Sequence, residues 1–147
     1  GTVKSVTWKK SAPLLNIYSA NMVLAKGFLQ KIFAILAKNN ISVNMLSASE
    51  VSVSVTLDNI GKLDDALVEL NKFAKTDYFE GFGTISLVGE QIMNTPLLMQ
   101  NLFDTFNAAN IPVQMLSYSA SNINISMIVP SDKIVEIVPI IHSKFIK

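Results

Sequence analysis

An internal repeat with an offset of 70 residues constrains the fold of this chain more than any other feature. The segment KIFAILAKNNISVNMLSAS, residues 31–49, aligns with NLFDTFNAANIPVQMLSYS, residues 101–119. The register extends to flanking apolar residues, with Leu15 to Ile17 over Ile85 to Leu87, and Val53 and Val55 over Ile123 and Ile125. Since a repeat of this kind marks a recurring structural unit, the chain is expected to fold as two copies of one module.

Hydrophobic patterning predicts the same order of elements in each copy. Strands are predicted over Leu14–Tyr18, Ile41–Ser47 and Val51–Leu57, the last from its unbroken alternation of apolar and hydroxyl residues. In the second copy, strands are predicted over Ile111–Tyr118 and Asn122–Val129. An amphipathic helix follows the first strand, with its counterpart in the second copy. The two predicted stripes are Leu29, Ile32, Phe33 and Leu36 in the first copy, and Met99, Leu102, Phe103 and Phe106 in the second.

Residues that cap or break helices indicate where these elements end. Asn39 and Asn40 are expected to stop the first helix with a left-handed residue. A second helical stripe runs from Leu63 to Ala74, and Pro139 is expected to kink the last helix or to end its first part near Val138. Two further strands, Val3–Trp8 and Thr84–Val88, complete the sheets, with the copy that each serves left open.

This order of elements is typical of an α+β fold with two ferredoxin-like (βαββαβ) modules in tandem. Each module is an antiparallel sheet with its helices on one face. Residues 1–12 are predicted to form a junction and an N-terminal strand that can complete the second sheet. The first module is predicted over residues 13–82 and the second over residues 83–147.

Composition excludes several classes of function. All 12 basic residues are lysines, and they are scattered, which disfavours nucleic-acid binding and phosphoryl transfer by this chain alone. Cysteine is absent and His142 is the single histidine, so disulfides, thiolate metal sites and a zinc site are not expected. His142 is interpreted as a helix-end residue. No apolar run of about 18 residues and no signal peptide are present, so we expect a soluble, cytoplasmic protein without a membrane partner.

The loop before the first helix is the candidate binding site. The amides of Gly27, Phe28 and Leu29 at a helix start can bind a small carboxylate. Asn44 offers a donor and an acceptor on the next strand, and Ser49 with Glu50 follows that strand. The alternatives are that Gly27 only makes a tight entry to the helix, that Asn44 is an ordinary solvent-facing residue, and that Glu50 is a solvated loop charge.

These residues belong to blocks that resemble a known family. The segment NMVLAKGFLQKIFAILAKNNISVNMLSASEVSVSVTLD resembles the first ACT domain of aspartokinases, especially of the lysine-sensitive class. That class carries an NML-x-x-x-GFL loop, followed by NISVD and TSEVSVSLTLD. The second copy, with NIPVQMLSYSASNINISMIVP and a last helix ending in IHSKF, resembles the second ACT domain of the same enzymes.

The resemblance implies the regulatory part of an aspartate kinase, which phosphorylates L-aspartate with ATP. The catalytic domain is absent from these 147 residues, so no catalytic residue and no cofactor are expected here, and ATP and Mg would belong to that domain. The family pairs the first ACT domains of two subunits in a homodimer and holds an amino-acid effector at their interface. The matching positions here are Met22, Ala25, Gly27, Phe28, Leu29, Val43, Asn44, Ser49 and Glu50.

One departure from the family pattern bears on the effector. Lysine-sensing relatives usually carry Asp at the position of Asn44, and a carboxylate pairs with an ammonium group better than an amide does. Lysine remains favoured because of the SEVSVS block and Glu50, with threonine second. The second copy lacks the Gly-Phe-Leu entry and is expected to bind nothing. One alternative is a ligand-free dimerisation module. Another is an independent enzyme, which the sequence does not support because it has no group of acid–base or nucleophilic residues.

Overall fold

The computed structural model describes residues 3–19, 26–90, 92, 97–118 and 124–146. These residues form pairs of strands, and a helix follows each pair. Their order and bounds are β1 (Val3–Lys9), β2 (Leu14–Ser19), α1 (Phe28–Lys38), β3 (Ser42–Ala48), β4 (Ser52–Asn59), α2 (Leu63–Leu70), β5 (Ala74–Phe79), β6 (Phe82–Gly89), α3 (Leu98–Ala108), β7 (Met115–Tyr118), β8 (Asn124–Pro130) and α4 (Ile134–Phe145).

The chain divides into two compact units. The first unit is Pro13–Glu80, and the second combines Gly1–Ala12 with Gly81–Lys147. In the first unit the strand order is β3-β4-β2-β5, and in the second it is β1-β6-β8-β7, with all neighbours antiparallel. The predicted tandem of ferredoxin-like modules is confirmed, and β1 occupies in the second sheet the place that β5 occupies in the first.

The core of the first unit lies between the sheet and its helices. Alternate residues of β4, namely Val53, Val55 and Leu57, are buried against α1 and α2, as their periodicity predicts. Ser52 and Ser54 alternate with them and are half-buried, and the Ser54 hydroxyl donates to Asn16 Oδ1 at 2.6 Å.

Helix α1 is rotated from the orientation that its apolar stripe predicts. Phe28, Ile32 and Leu36 are buried, whereas Leu29 is 39% exposed and Phe33 is half-buried. The ring of Phe28 packs edge-on against Phe73 with centroids 5.8 Å apart, and this contact fixes the row that faces the sheet. Leu29 and Phe33 therefore leave apolar surface at the side of the helix.

The end of α1 agrees with its prediction. Asn40 has φ 58°, its amide donates to Ala37 O at 3.1 Å, and the Ile41 amide donates to Leu36 O at 3.0 Å. This pair of bonds is a Schellman motif. Helix α3 ends in the same way at Asn110, with φ 56° and an Ile111 amide that donates to Phe106 O at 2.9 Å.

Three local predictions were wrong, and one of the two alternatives for Pro139 is excluded. Strand β5 was not predicted, and Ala74, assigned to a helical stripe, is its first residue. Strand β7 begins at Met115 rather than Ile111, and α4 continues through Pro139 to Phe145 instead of ending near Val138. The forward alignment of the repeats is shifted by two residues, because the cross-strand registers make Met127, not Ile125, the counterpart of Val55.

Candidate functional site

The entry to α1 combines an unusual backbone with an exposed surface. Gly27 precedes the helix with φ 82°, and its carbonyl accepts the first helical bond from the Lys31 amide at 3.0 Å. The amides of the first turn of a helix have no hydrogen-bond partner within it, and they lie at the end of the helix dipole that has a partial positive charge. Phe28 is buried, so its contribution to a site is its backbone, whereas the Leu29 side chain is exposed.

The Ser49 hydroxyl holds the turn between β3 and β4. Ser49 Oγ accepts from the amides of Ser52 at 3.2 Å and Val51 at 3.4 Å, and it lies 3.1 Å from Ser52 Oγ. The Ser49 amide donates to Ser52 O at 2.9 Å. Glu50 is exposed at the tip of this turn, and no ion pair joins it to another residue that the structure describes. The main role of Ser49 is therefore to stabilise the turn, and Glu50 is the residue of the turn with a charged side chain.

The turn and the helix entry lie at the same end of the first sheet. The Ser19 amide at the end of β2 donates to Val51 O at 2.9 Å, so the connection from β2 to α1 leaves the sheet beside the β3–β4 turn. Met22 and Ala25, two of the predicted ligand positions, belong to that connection and lie outside the described residues. The fold thus brings the start of α1 and the turn carrying Glu50 to one end.

Val43 and Asn44 lie at the opposite end of β3. Val43 pairs with Leu57, whose amide donates to Pro13 O at 2.9 Å, just before β2 begins. The register is irregular on both sides of Val43, and Asn44 is exposed at this irregularity. Ala48 lies four positions further along the strand than Asn44, which is a distance of about 13 Å.

A residue that the sequence analysis missed shapes this irregular segment. The Met45 amide donates to Thr56 Oγ1 at 3.0 Å, and Thr56 is almost completely buried. A side-chain acceptor therefore replaces a ladder bond next to Asn44, and irregularities of this kind re-aim side chains at sheet edges. A buried threonine in an otherwise apolar part of β4 is the signal that could have identified it.

Strand β3 is an edge of the sheet as the described residues form it. One side of an edge strand presents backbone donors and acceptors without partners in the sheet. Leu46 on this strand is 47% exposed, and Leu29 on α1 is exposed as well. Apolar surface beside a free strand edge is typical of a surface that another strand covers.

The helix entry of the second unit carries a different residue. Leu97, 70 residues after Gly27, precedes α3 with φ 61° and is largely exposed. His142, in the last turn of α4, is exposed, in keeping with its interpretation as a helix-end residue. Across the described ranges, no group of three His, Cys, Asp or Glu side chains could hold a metal ion, and none of the helices there is long and apolar enough to cross a membrane.

Comparison with known proteins agrees with this architecture. The ACT-domain family model matches residues 15–72 and 85–145. The aspartokinase of Schizosaccharomyces pombe is 34% identical over 146 residues, which are 97% of this chain and 28% of that protein. The lysine-sensitive aspartokinase 3 of Escherichia coli is 30% identical over 148 residues, which are 95% of this chain and 32% of that protein.

A solved structure extends the likeness to three dimensions. The crystal structure of E. coli aspartokinase III in complex with lysine and aspartate (T-state) is similar with a TM-score of 0.83 at 29% identity, covering 99% of this chain and 34% of that one. The chain thus spans about a third or less of the length of these relatives. With both repeats matched, the chain belongs to the ACT-domain family and corresponds to the regulatory ACT region of aspartokinases.

Proposed function

We propose that the first unit binds a free amino acid between two copies of this chain, with lysine favoured and threonine second. The bound effector would feedback-inhibit an aspartate kinase catalytic domain outside these 147 residues, which would use ATP and Mg to phosphorylate L-aspartate. The likeness to lysine-sensitive aspartokinase 3 and to the lysine-bound aspartokinase III supports this choice of effector.

The separation of the candidate residues along β3 carries the proposal. Gly27 and Glu50 lie at one end of this edge strand, and Val43 and Asn44 lie at the other. Antiparallel pairing of two β3 strands places the start of one strand beside the end of its partner. A homodimer through β3 therefore brings the two halves of the site together, twice, related by a twofold axis.

The chemistry of the joined site suits an amino acid. The amides at the start of α1 would bind the ligand's carboxylate, because no arginine is present in the chain to do so. The Glu50 carboxylate and the Asn44 amide oxygen of the second copy would accept from ammonium groups. Lysine has two such groups and threonine has one, which favours lysine where two acceptors face the ligand.

Inhibition would follow from unequal affinity of the effector for two arrangements of the enzyme. Such a ligand shifts the population towards the arrangement that it binds better. A coupling free energy of about 1–3 kcal/mol between effector site and catalytic domain is typical of allosteric proteins.

Isothermal titration of the chain with lysine and with threonine tests the proposal. We expect lysine to bind and Gly27→Val to abolish its binding while the dimer persists in sedimentation, because a β-branched side chain at φ 82° disturbs the helix entry. The matched control is Leu97→Val at the equivalent entry, which should bind lysine normally. A dimer whose melting temperature no amino acid of the aspartate family raises would instead be a ligand-free dimerisation module.

A further inference from the structure

The helices of the first unit bound a groove rimmed with lysines, which we call the basic groove. Its volume is 390 Å³, and Ala34, Ile35 and Phe73 form its apolar floor. Lys31, Lys38 and Lys72 surround this floor, with Glu69 as the one acidic residue. Lys31 Nζ lies 4.0 Å from the centroid of the Phe73 ring, and Lys38 forms an ion pair with Glu69. The groove therefore has a net positive charge over an apolar base.

A second groove on the same unit has the opposite charge, and we call it the acidic groove. Its volume is 490 Å³, and it lies at the start of α2 and the end of β5. Asp64, Asp65 and Glu80 line it with a single lysine, Lys62, beside an apolar surface that includes Leu67 and Tyr78. No ion pair joins Asp64 or Asp65 to another residue in the described part of the chain.

One row of exposed side chains on helix α2 and the turn after it runs from the acidic groove to the basic groove. Asp65, Val68 and Lys72 are spaced by three and four residues, and all three are exposed. Val68, in the middle of the row, is 63% exposed. Two such rows laid antiparallel would place each Asp65 next to the partner's Lys72, with the valines in contact at the centre.

The second unit shows that the fold does not require the lysines of this surface. The buried residues Leu63 and Leu70 of α2 correspond to Ile134 and Ile141 of α4. On this alignment, and on the 70-residue repeat for α1, the second unit keeps the acidic residue of the row but replaces its valine, its lysine and the other two lysines of the groove. Asp65, Val68 and Lys72 correspond to Glu136, Pro139 and Ser143, and Lys31 and Lys38 correspond to Asn101 and Ala108.

We propose that the basic groove of one copy binds the acidic groove of a second copy across a twofold axis that passes near Val68 of α2. Charge complementarity within one chain selects this occupant, because the same surface carries both halves of the contact. The surface differs from the β3 edge, so it would join β3-paired dimers to one another. Since α2 has eight residues and spans about 12 Å, the contact is small, and we expect a Kd between about 10 µM and 1 mM.

Sedimentation velocity over a range of protein concentrations tests this contact with the 147-residue chain. The variants are Asp65→Lys and Lys72→Glu, each singly and then together. Either single change should raise the Kd of the second association step at least tenfold, and the double variant should return it to within threefold of the original, because both new pairs are again opposite in charge. Raising the salt from 0.1 to 1 M, which shortens the Debye length from about 10 Å to about 3 Å, should weaken the step.

Two controls keep the test specific to this surface. Glu136→Lys makes the matching charge reversal on α4 and should leave the association unchanged. Leu46→Lys on the β3 edge should disrupt the first association step and leave a species joined through α2 alone. Circular dichroism and melting temperatures confirm that each variant is folded.

Three results would overturn the proposal. One is the absence of a second association step up to about 1 mM chain, the weak end of the expected range. Another is a step that neither charge reversal weakens, which would indicate an apolar contact elsewhere. The third is a double variant as weak as the single variants, which would show that Asp65 and Lys72 do not face each other.

Discussion

The helix entries of the two units have the same backbone but different residues. Gly27 precedes α1 with φ 82°, and Leu97 precedes α3 with φ 61°. A non-glycine residue in the left-handed region costs about 1–2 kcal/mol, and the second unit tolerates that cost. A Cβ added to Gly27 would meet no atom within 4 Å. Neither packing nor the turn alone therefore requires glycine, since the second unit forms the same entry with a leucine.

The largest test of this comparison removes equivalent core side chains. Ile32 and Leu102 are both completely buried, one in each unit. Ile32→Ala and Leu102→Ala should each lower the free energy of unfolding by about 2–5 kcal/mol, because each leaves a cavity under a helix. Urea unfolding followed by circular dichroism measures both. A loss under about 1 kcal/mol at only one site would show that the two cores are not equivalent.

A smaller effect is expected from exchanging the residues at the helix entries. Leu97→Gly should stabilise the chain by about 1 kcal/mol, because it relieves the left-handed leucine, and Gly27→Ala should destabilise it by a similar amount. For a chain of this size, 1 kcal/mol moves the melting temperature by about 2–4 °C or slightly more. If Leu97→Gly leaves the melting temperature unchanged or lowers it, the leucine at this entry is not strained.

The smallest effect concerns acid sensitivity, which should be greater in the first unit. Hydrogen bonds from Lys38 and then Asn39 lower the pKa of Glu69 below its usual value of 4.5. A carboxyl group with a lowered pKa in the folded state contributes stability above its unfolded pKa, and this stability is lost as the pH falls through the folded value. The second unit has Ile140 at the matching position.

Melting temperatures recorded from neutral pH down to about pH 3 measure this effect. Glu69→Gln should reduce the loss of stability below the usual pKa of the carboxyl. Glu136→Gln is the control. The side chain of Glu136 is half exposed, and its Oε2 lies 3.9 Å from Lys133 Nζ. A surface ion pair of this kind contributes little to the free energy of unfolding. Identical acid profiles for Glu69→Gln and the original chain would mean that the Lys38 contact does not persist in solution.

The sequence predicted the repeat, most strands of the two sheets and the left-handed end of α1 because each depends on local patterning. It did not predict the rotation of α1, since Phe28 and Leu29 are both apolar and only the distant Phe73 selects between them. It also missed β5, an edge strand in which Ala74 is the only buried residue.

The candidate site was predicted less completely than the fold. The resemblance grouped nine positions without showing where they lie in one chain. The structure places Gly27 and Glu50 at one end of β3 and Asn44 at the other. The hydrogen bond from the Met45 amide to Thr56 Oγ1 joins two residues on neighbouring strands that are 11 positions apart. No short sequence motif predicts such a contact.

The place of β1 in the second sheet has a consequence for the order of folding during synthesis. Strand β1 pairs with β6, so residues from 3 to 9 have no partner in their sheet until residues 82–89 have been made. The first unit, Pro13–Glu80, is complete before that point, and domains generally fold as units while the chain emerges. The first unit should therefore form while β1 is still unpaired, and the second unit should complete its sheet only afterwards, when the Ala12 amide can donate to Phe82 O, a bond of 2.8 Å in the structure.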